Sequence, residues 1–306
     1  MRAMIVAAGL GTRLRPLTDL RPKPALPVRG IPLIAYTLAL LARHGVTQVV
    51  INLHHLPDVL KDAARRHCPP EIELHFSVEA ELLDTGGGIR RVADFLRKSD
   101  PCLIVAGDML LDTDLSALVA SHRECGDAWT FLLRGGDPRE KAFGTIGVDS
   151  HKRVRRIGAR HDLGGETHAG LYAWANVVAA RAFDSLPARE IFSHFDHWIA
   201  PQLASGATDI RGEILASNNF LWEPVGTPAE YLAANLDPIQ PSYQDAISDA
   251  QRAGARIDND VVIGANAQLG RGVRLRRAVV WDGERVPDGL EASDGIFAGG
   301  AFHPVP

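Results

Sequence analysis

At 306 residues, with 46% hydrophobic and 23% charged side chains, the chain has a globular composition and room for one large α/β domain plus a smaller unit. The net charge of −4 gives no global positive field, so neither nucleic acid nor an anionic membrane is an expected partner. Three scattered cysteines without a CxxC pair argue against a disulfide framework or a structural zinc, and the apolar run at residues 4–8 is too short to span a bilayer and lacks the layout of a leader, so a reduced, cytoplasmic setting is expected.

Residues 3–8 form an apolar run ending in glycines, the pattern of a buried parallel strand. Residues 32–44 place Ile34, Leu38 and Leu41 on one helical face and stop at Gly45. Strand, helix and alternating strand follow at 48–53, 56–67 and 72–78, then helical spacing at 88–96 and a buried strand at 102–106. This rhythm predicts a mostly parallel sheet with helices on both faces, its ligand-binding loops gathered along one edge. From about residue 128 the rhythm loosens. Strand-like segments at 129–134, 145–149 and 154–157 predict a mixed part of the sheet that builds a second pocket wall.

Residues 236–254, with Pro238 and Pro241, read as a linker. Beyond it Ile257, Ile263, Leu269 and Leu275 recur every sixth residue, as do Val261, Ala267, Val273 and Val279. Neither a helix nor an alternating strand produces that period, which predicts a short left-handed β-helix of hexapeptide repeats, about two coils long. The expected organisation is a catalytic domain over 1–236, a linker over 237–255 and the β-helix over 256–306.

Chemistry concentrates directly after the first strand, in Ala7-Ala8-Gly9-Leu10-Gly11-Thr12-Arg13-Leu14-Arg15-Pro16-Leu17-Thr18 and then Arg21-Pro22-Lys23-Pro24. Gly9 and Gly11 let the backbone turn and present amides to an anion. Arg13 adds a forked, permanent charge, and Lys23 a point charge on a proline-stiffened segment. No GKS or GKT follows, unlike a Walker A loop, and Arg13 and Leu14 stand where a dinucleotide fingerprint has its third glycine. The stretch resembles the GxGxRxxPxT…PKP signature of sugar-1-phosphate nucleotidyltransferases. That resemblance implies a Rossmann-like mixed-sheet α/β domain that joins a nucleoside triphosphate to a sugar-1-phosphate and releases pyrophosphate. It further implies nucleotide contacts at Ala8, Gly9, Gly11, Thr12, Arg13 and Lys23, with Arg13 and Lys23 catalytic.

Three further segments extend the resemblance. Gly86, Gly87 and Gly88 in front of a helix offer bare amides, and their segment is similar to the family's L-x-T-[AG]-G stretch, which implies base and ribose contacts at Gly86 and Gly87. Ala106-Gly107-Asp108 is similar to the family's (N/A)GD, which implies that Asp108 is catalytic, contacts the nucleotide and holds Mg²⁺. Asp112 and Asp114 follow, the latter expected to cap a helix starting near Leu115. Trp222-Glu223-Pro224-Val225-Gly226-Thr227 resembles W-x-D-(V/I)-G-T, but Pro224 stands where the second metal-binding Asp belongs. Glu223 is one residue early, on the opposite face of a strand, and joins the metal only through a bulge or turn.

On the sugar side, His168-Ala169-Gly170-Leu171-Tyr172 resembles the family's N/T-x-G-(I/L)-Y, which implies sugar contact at Gly170, with Glu166 beside it. The family's E-K-P lysine is not evident; Arg155, Arg156 or Arg160 stands in for it or forms a solvated basic strand. His54/His55 and His194/His197 lack a third clustered ligand and are expected at a strand end and a helix surface. A phosphate nucleophile needs no general base, so no Ser-His-Asp set is expected.

The tail is common in mannose-1-phosphate guanylyltransferases, and the LDTGGG segment is similar to N-acetylmuramate-1-phosphate uridylyltransferases. GTP with mannose-1-phosphate is the preferred pair, a UTP-dependent enzyme the alternative. Pro224 is the mark of a third reading, a non-catalytic protein that binds a nucleotide sugar. Two coils are short for acyl transfer, so the tail is expected to cap the chain or join it into a homo-oligomer.

Overall fold

The computed structural model describes residues 1–237 and 243–305; Pro238 and Pro241, expected in the linker, lie outside the described residues. The central sheet has ten strands. Glu73–Val78, Gln48–Leu53, Arg2–Val6 and Cys102–Ala106 lie side by side and run parallel, with Ala3 opposite Val49 on one flank and Leu103 on the other. Arg2–Val6, Gln48–Leu53 and Cys102–Ala106 are almost continuously apolar because helices cover both faces of the sheet, whereas the edge strand Glu73–Val78 alternates. The order then reverses sense: the long strand His168–Val178 is antiparallel to Cys102–Ala106 and leads into Thr145–Val148 and Val154–Ile157. The sheet is therefore mixed, with its antiparallel half beside the parallel one.

Helix Leu33–Arg43 buries more than the one face its apolar spacing predicts. Ile34, Leu38 and Leu41 pack under the sheet, while Leu33, Ala35 and Tyr36 belong to a separate cluster. That cluster also holds Leu14, Leu17, Leu26 and Val28 from the N-terminal loop, Tyr231 and Leu232 from helix Pro228–Leu236, and Val262, Val279, Trp281 and Ile296 from the tail. The sheet-bearing part and the tail thus share a core.

In the tail, Val261–Ile263, Arg274–Val280 and Glu291–Ala298 stack in parallel; Val261 pairs with Ala278 and Ala278 with Gly295, an offset of 17 residues. Gln268–Leu269 pairs in parallel with Arg285–Val286 at the same offset. Three hexads would give 18, so each turn of the stack is one residue shorter than three sequence periods. The rungs are apolar on two faces. Val280, Val286 and Phe297 point into the tail, whereas Val262, Val279 and Ile296 face the sheet-bearing part. Leu269, expected inside, is 37% exposed.

Candidate active site

Two cavities of about 640 and 400 Å³ open at the C-terminal ends of Arg2–Val6 and Cys102–Ala106, and Arg13, Lys23, Asp108, Trp174 and Gly226 line both. That is the edge where an α/β sheet binds ligands. Gly11 has φ 62°, and a Cβ there would meet Thr18 Cγ2 at 2.9 Å; the Thr18 hydroxyl donates to the Gly11 carbonyl at 3.0 Å. Gly9 has open space around it, so its backbone faces the cavity unshielded. Lys23 opens a short 3-10 turn between two prolines and donates to Asp108 Oδ2 at 2.6 Å. The lysine side chain is 13% exposed and the carboxylate 41%, so the acid is the more open partner.

Behind the loop lies a buried polar chain. Ala7 N–H donates to Asn52 Oδ1 and Asn52 Nδ2 to Glu79 Oε1, each at 2.7 Å, and Leu83 N–H donates to Glu79 Oε2 at 3.2 Å. The chain ties the start of the N-terminal glycine loop to the start of the second glycine segment. Asn52 and Glu79 both line the larger cavity. His54 and His55 brace the same region from outside, donating to the carbonyls of Glu79 at 2.9 Å and Thr18 at 2.7 Å.

Trp174 forms part of the wall between the two cavities. Its strand loses register with Trp129–Gly135 between Tyr172 and Asn176, and Trp174 sits in that irregularity with φ 55°. A bulky residue in left-handed backbone is an outlier of the kind that marks functional sites. Tyr172 and His194 flank its ring at 4.8 and 5.4 Å. Burial drives the His194 pKa down to about 3, so this ring is neutral.

A sequence profile described as nucleotidyl transferase matches residues 2–240. Over 302 residues the chain is 32% identical to mannose-1-phosphate guanylyltransferase of Mycobacterium tuberculosis, spanning 94% of this chain and 81% of that protein. It belongs to the sugar-1-phosphate nucleotidyltransferases. UTP–glucose-1-phosphate uridylyltransferase of Synechocystis sp. is 26% identical, over 87% of this chain and 69% of that one. HddC from Yersinia pseudotuberculosis, solved with GMP-PN, shares the fold with a TM-score of 0.63 at 20% identity, covering 76% of this chain and 97% of that chain.

Within this nucleotidyltransferase the structure brings together Ala8, Gly9, Gly11, Thr12, Arg13, Lys23 and Asp108. It does not bring the glycines of the second segment to the cavity. Gly86, Gly87 and Gly88 lie inside helix Asp84–Arg91, and the amides of Gly86 and Gly87 bond the Phe192 carbonyl at 2.9 and 3.2 Å. A Cβ at Gly86 or Gly87 would lie 2.3 Å from the Phe192 ring or the Glu190 carbonyl, so these glycines serve a close packing contact. Leu82, Asp84 and Thr85 line the cavity instead.

Glu223 is likewise turned away. Strand Leu221–Pro224 pairs regularly with Met109–Asp112, and alternation puts Trp222 and Pro224 on the cavity side. Glu223 pairs with Arg139 at 2.9 Å; Arg139 also grips Asp137, whose carboxyl its hydrogen bond holds well below the usual range. Gly170 packs against Leu133 Cβ and the Arg134 carbonyl, and Glu166 pairs with Arg156 at 2.7 Å beside Gly147, so neither lines either of these two cavities. Arg155 is occupied by loop carbonyls, and only Arg160 of the three arginines reaches the smaller cavity. There His161 bonds Asp196 at 2.7 Å, with Arg160 3.7 Å from the same carboxylate. Asp114 caps its helix by accepting from Ala117 N–H at 3.0 Å, and Asp112 lies 3.6 Å from Arg43, outside both cavities. Among the described residues no cluster of three or more His, Cys, Asp or Glu stands ready to hold a metal, and no helix is long and apolar enough to cross a membrane.

Proposed function

We propose that the chain joins GTP to mannose-1-phosphate, releasing pyrophosphate and leaving GDP-mannose. The observation that carries the reading is the meeting of two cavities at Arg13, Lys23 and Asp108, which suits two anionic substrates reacting at their junction. The guanylyltransferase named among the relatives supports this base and sugar. The larger cavity takes the triphosphate, with the backbone of Ala8, Gly9, Gly11 and Thr12 around it. The smaller takes the sugar phosphate, with Arg160, His161 and Asp196 at its far wall.

The attacking phosphate oxygen is ionised at neutral pH, so the residues need only hold two anions in line and offset their repulsion. Arg13 and Lys23 do this. One carboxylate, Asp108, is half-exposed beside them, and that donor set fits a divalent ion carried mostly by phosphate oxygens. Such an ion, when bound, would neutralise charge on the transferring phosphate. Glu223 has no part in holding it.

We read residues 256–306 as a short left-handed β-helix, supported by the hexad pattern and by parallel rungs at constant offset. Residues 1–236 form the catalytic domain in this reading. Four nucleoside triphosphates crossed with several sugar-1-phosphates, with magnesium and a pyrophosphate readout, test the assignment. Highest kcat/KM for GTP with mannose-1-phosphate is expected; preference for UTP overturns the base, and binding without pyrophosphate in any combination favours a non-catalytic protein. Lys23→Ala is expected to cut turnover by about 10²-fold or more with the far-UV spectrum unchanged.

A further inference from the structure

Arg21 lies between Arg13 and Lys23 in the phosphate loop but lines neither cavity. Its guanidinium donates to both carboxylate oxygens of Asp282, at 2.7 and 3.1 Å, and lies 4.7 Å over the Trp281 ring. The buried Trp281 donates its indole N–H to Tyr231 Oη at 2.9 Å, and Tyr231 Oη donates to the Pro27 carbonyl at 2.5 Å. Leu20 sits against Gly299 so tightly that a Cβ there would meet Leu20 Cδ1 at 2.8 Å. Residues 20 and 21 on one side of Lys23, and 27 on the other, are therefore all tied to the tail, the last through Tyr231.

We propose that the tail positions the phosphate loop, with Arg21, Asp282 and Trp281 as a clamp that fixes the backbone carrying Lys23. The turn at Lys23–Ala25 is stiffened by Pro22 and Pro24, so its remaining freedom is movement as a unit. Such movement displaces the lysine from the phosphates, and errors of about 1 Å at a reacting centre cost up to 10²-fold in rate. The Arg21–Asp282 pair is partly exposed, so its effect lies in its two-pronged geometry rather than in stability. The inference rests on the reading of this loop as the polyphosphate grip. It concerns residues outside the cavities, and it gives the tail a part in nucleotide affinity.

The test compares full-length Arg21→Gln, Asp282→Asn and their double variant with Arg274→Gln, which breaks an exposed Arg274–Glu291 pair within the tail at 3.3 Å. Readouts are KM for GTP, KM for mannose-1-phosphate, and amide hydrogen exchange over residues 14–26. Each clamp variant should raise KM for GTP about three- to tenfold and speed loop exchange, with a smaller rise in KM for the sugar phosphate, whose cavity Lys23 also borders. The double variant should be no worse than the worse single, Asp282→Glu should retain most of the affinity, and Arg274→Gln should match the parent. Unchanged GTP KM with unchanged exchange, additive single effects, or an equal effect in Arg274→Gln overturns the clamp. A parent chain that binds no nucleoside triphosphate overturns the reading of the loop itself, and that is seen before any variant is made.

Discussion

Asn52 and Glu79 are buried polar residues that no catalytic motif announces, and each touches a segment that does. Removing the Asn52 amide leaves Glu79 Oε1 and the Ala7 N–H without partners, which costs about 1–3 kcal/mol. Asn52→Leu should therefore lower the unfolding midpoint and raise KM for the nucleotide. Pairing it with Glu79→Met removes the carboxylate but leaves the Ala7 and Leu83 amides without acceptors, so it should recover only part of the stability, read by urea denaturation. The nucleotide KM should stay high, because the link from Ala7 to Leu83 is then gone. Recovery of both would make the chain a packing device alone. At this scale the sequence revealed the charged groups well, since Arg13, Lys23 and Asp108 stand at fixed offsets from glycines and prolines. Asn52 left one trace, a lone amide in the otherwise apolar stretch Val49-Val50-Ile51-Asn52-Leu53. Trp174 left none, because its backbone geometry arises from a register slip between strands distant in sequence.

The strand Leu221–Pro224 decides what Glu223 can reach. Alternation holds through it, so a carboxylate at position 224 would face the cavity while Glu223 stays with Arg139. Pro224→Asp should lower the magnesium concentration for half-maximal activity several-fold, roughly as a second charged ligand tightens a hard-cation site. Glu223→Gln should leave that concentration unchanged and cost at most about 1 kcal/mol, since the pair is partly exposed. A magnesium titration of both variants separates the alternatives; a shift in Glu223→Gln alone would return Glu223 to the metal. The second glycine segment shows the limit of motif reading. Three adjacent glycines look the same in sequence whether they open amides to a ligand or let two backbones approach, and the Phe192 contact comes from a segment a hundred residues away.

For the whole molecule, the alternating first half made the parallel sheet legible, and the six-residue period made the tail legible as stacked rungs. The docking of the tail was not, because Val262 and Val279 look like any other apolar rung positions until the partner surface is known. Buried histidines contribute to the acid response of the folded chain. Burial lowers His194 to about 3 and His122 to about 4. Between about pH 6.5 and 4 the unfolded chain takes up protons at these sites and the folded chain does not, so stability falls as pH drops through that window. Urea midpoints at pH 7 and 5 should show the loss, and His194→Phe should reduce it; an unchanged slope would mean the ring is protonated in the fold.

Because Arg13, Lys23, Asp108, Trp174 and Gly226 border both cavities, the proposed function predicts that a change at any of them perturbs two substrates at once. The remaining walls are private: Leu82 and Thr85 border one chamber, Thr145 and His161 the other. With one chamber for the nucleotide and the other for the sugar phosphate, as proposed above, choice of base and choice of sugar can drift separately under selection while the shared centre stays fixed. The same division gives an engineer two independent dials, one per chamber, with the chemistry left untouched between them.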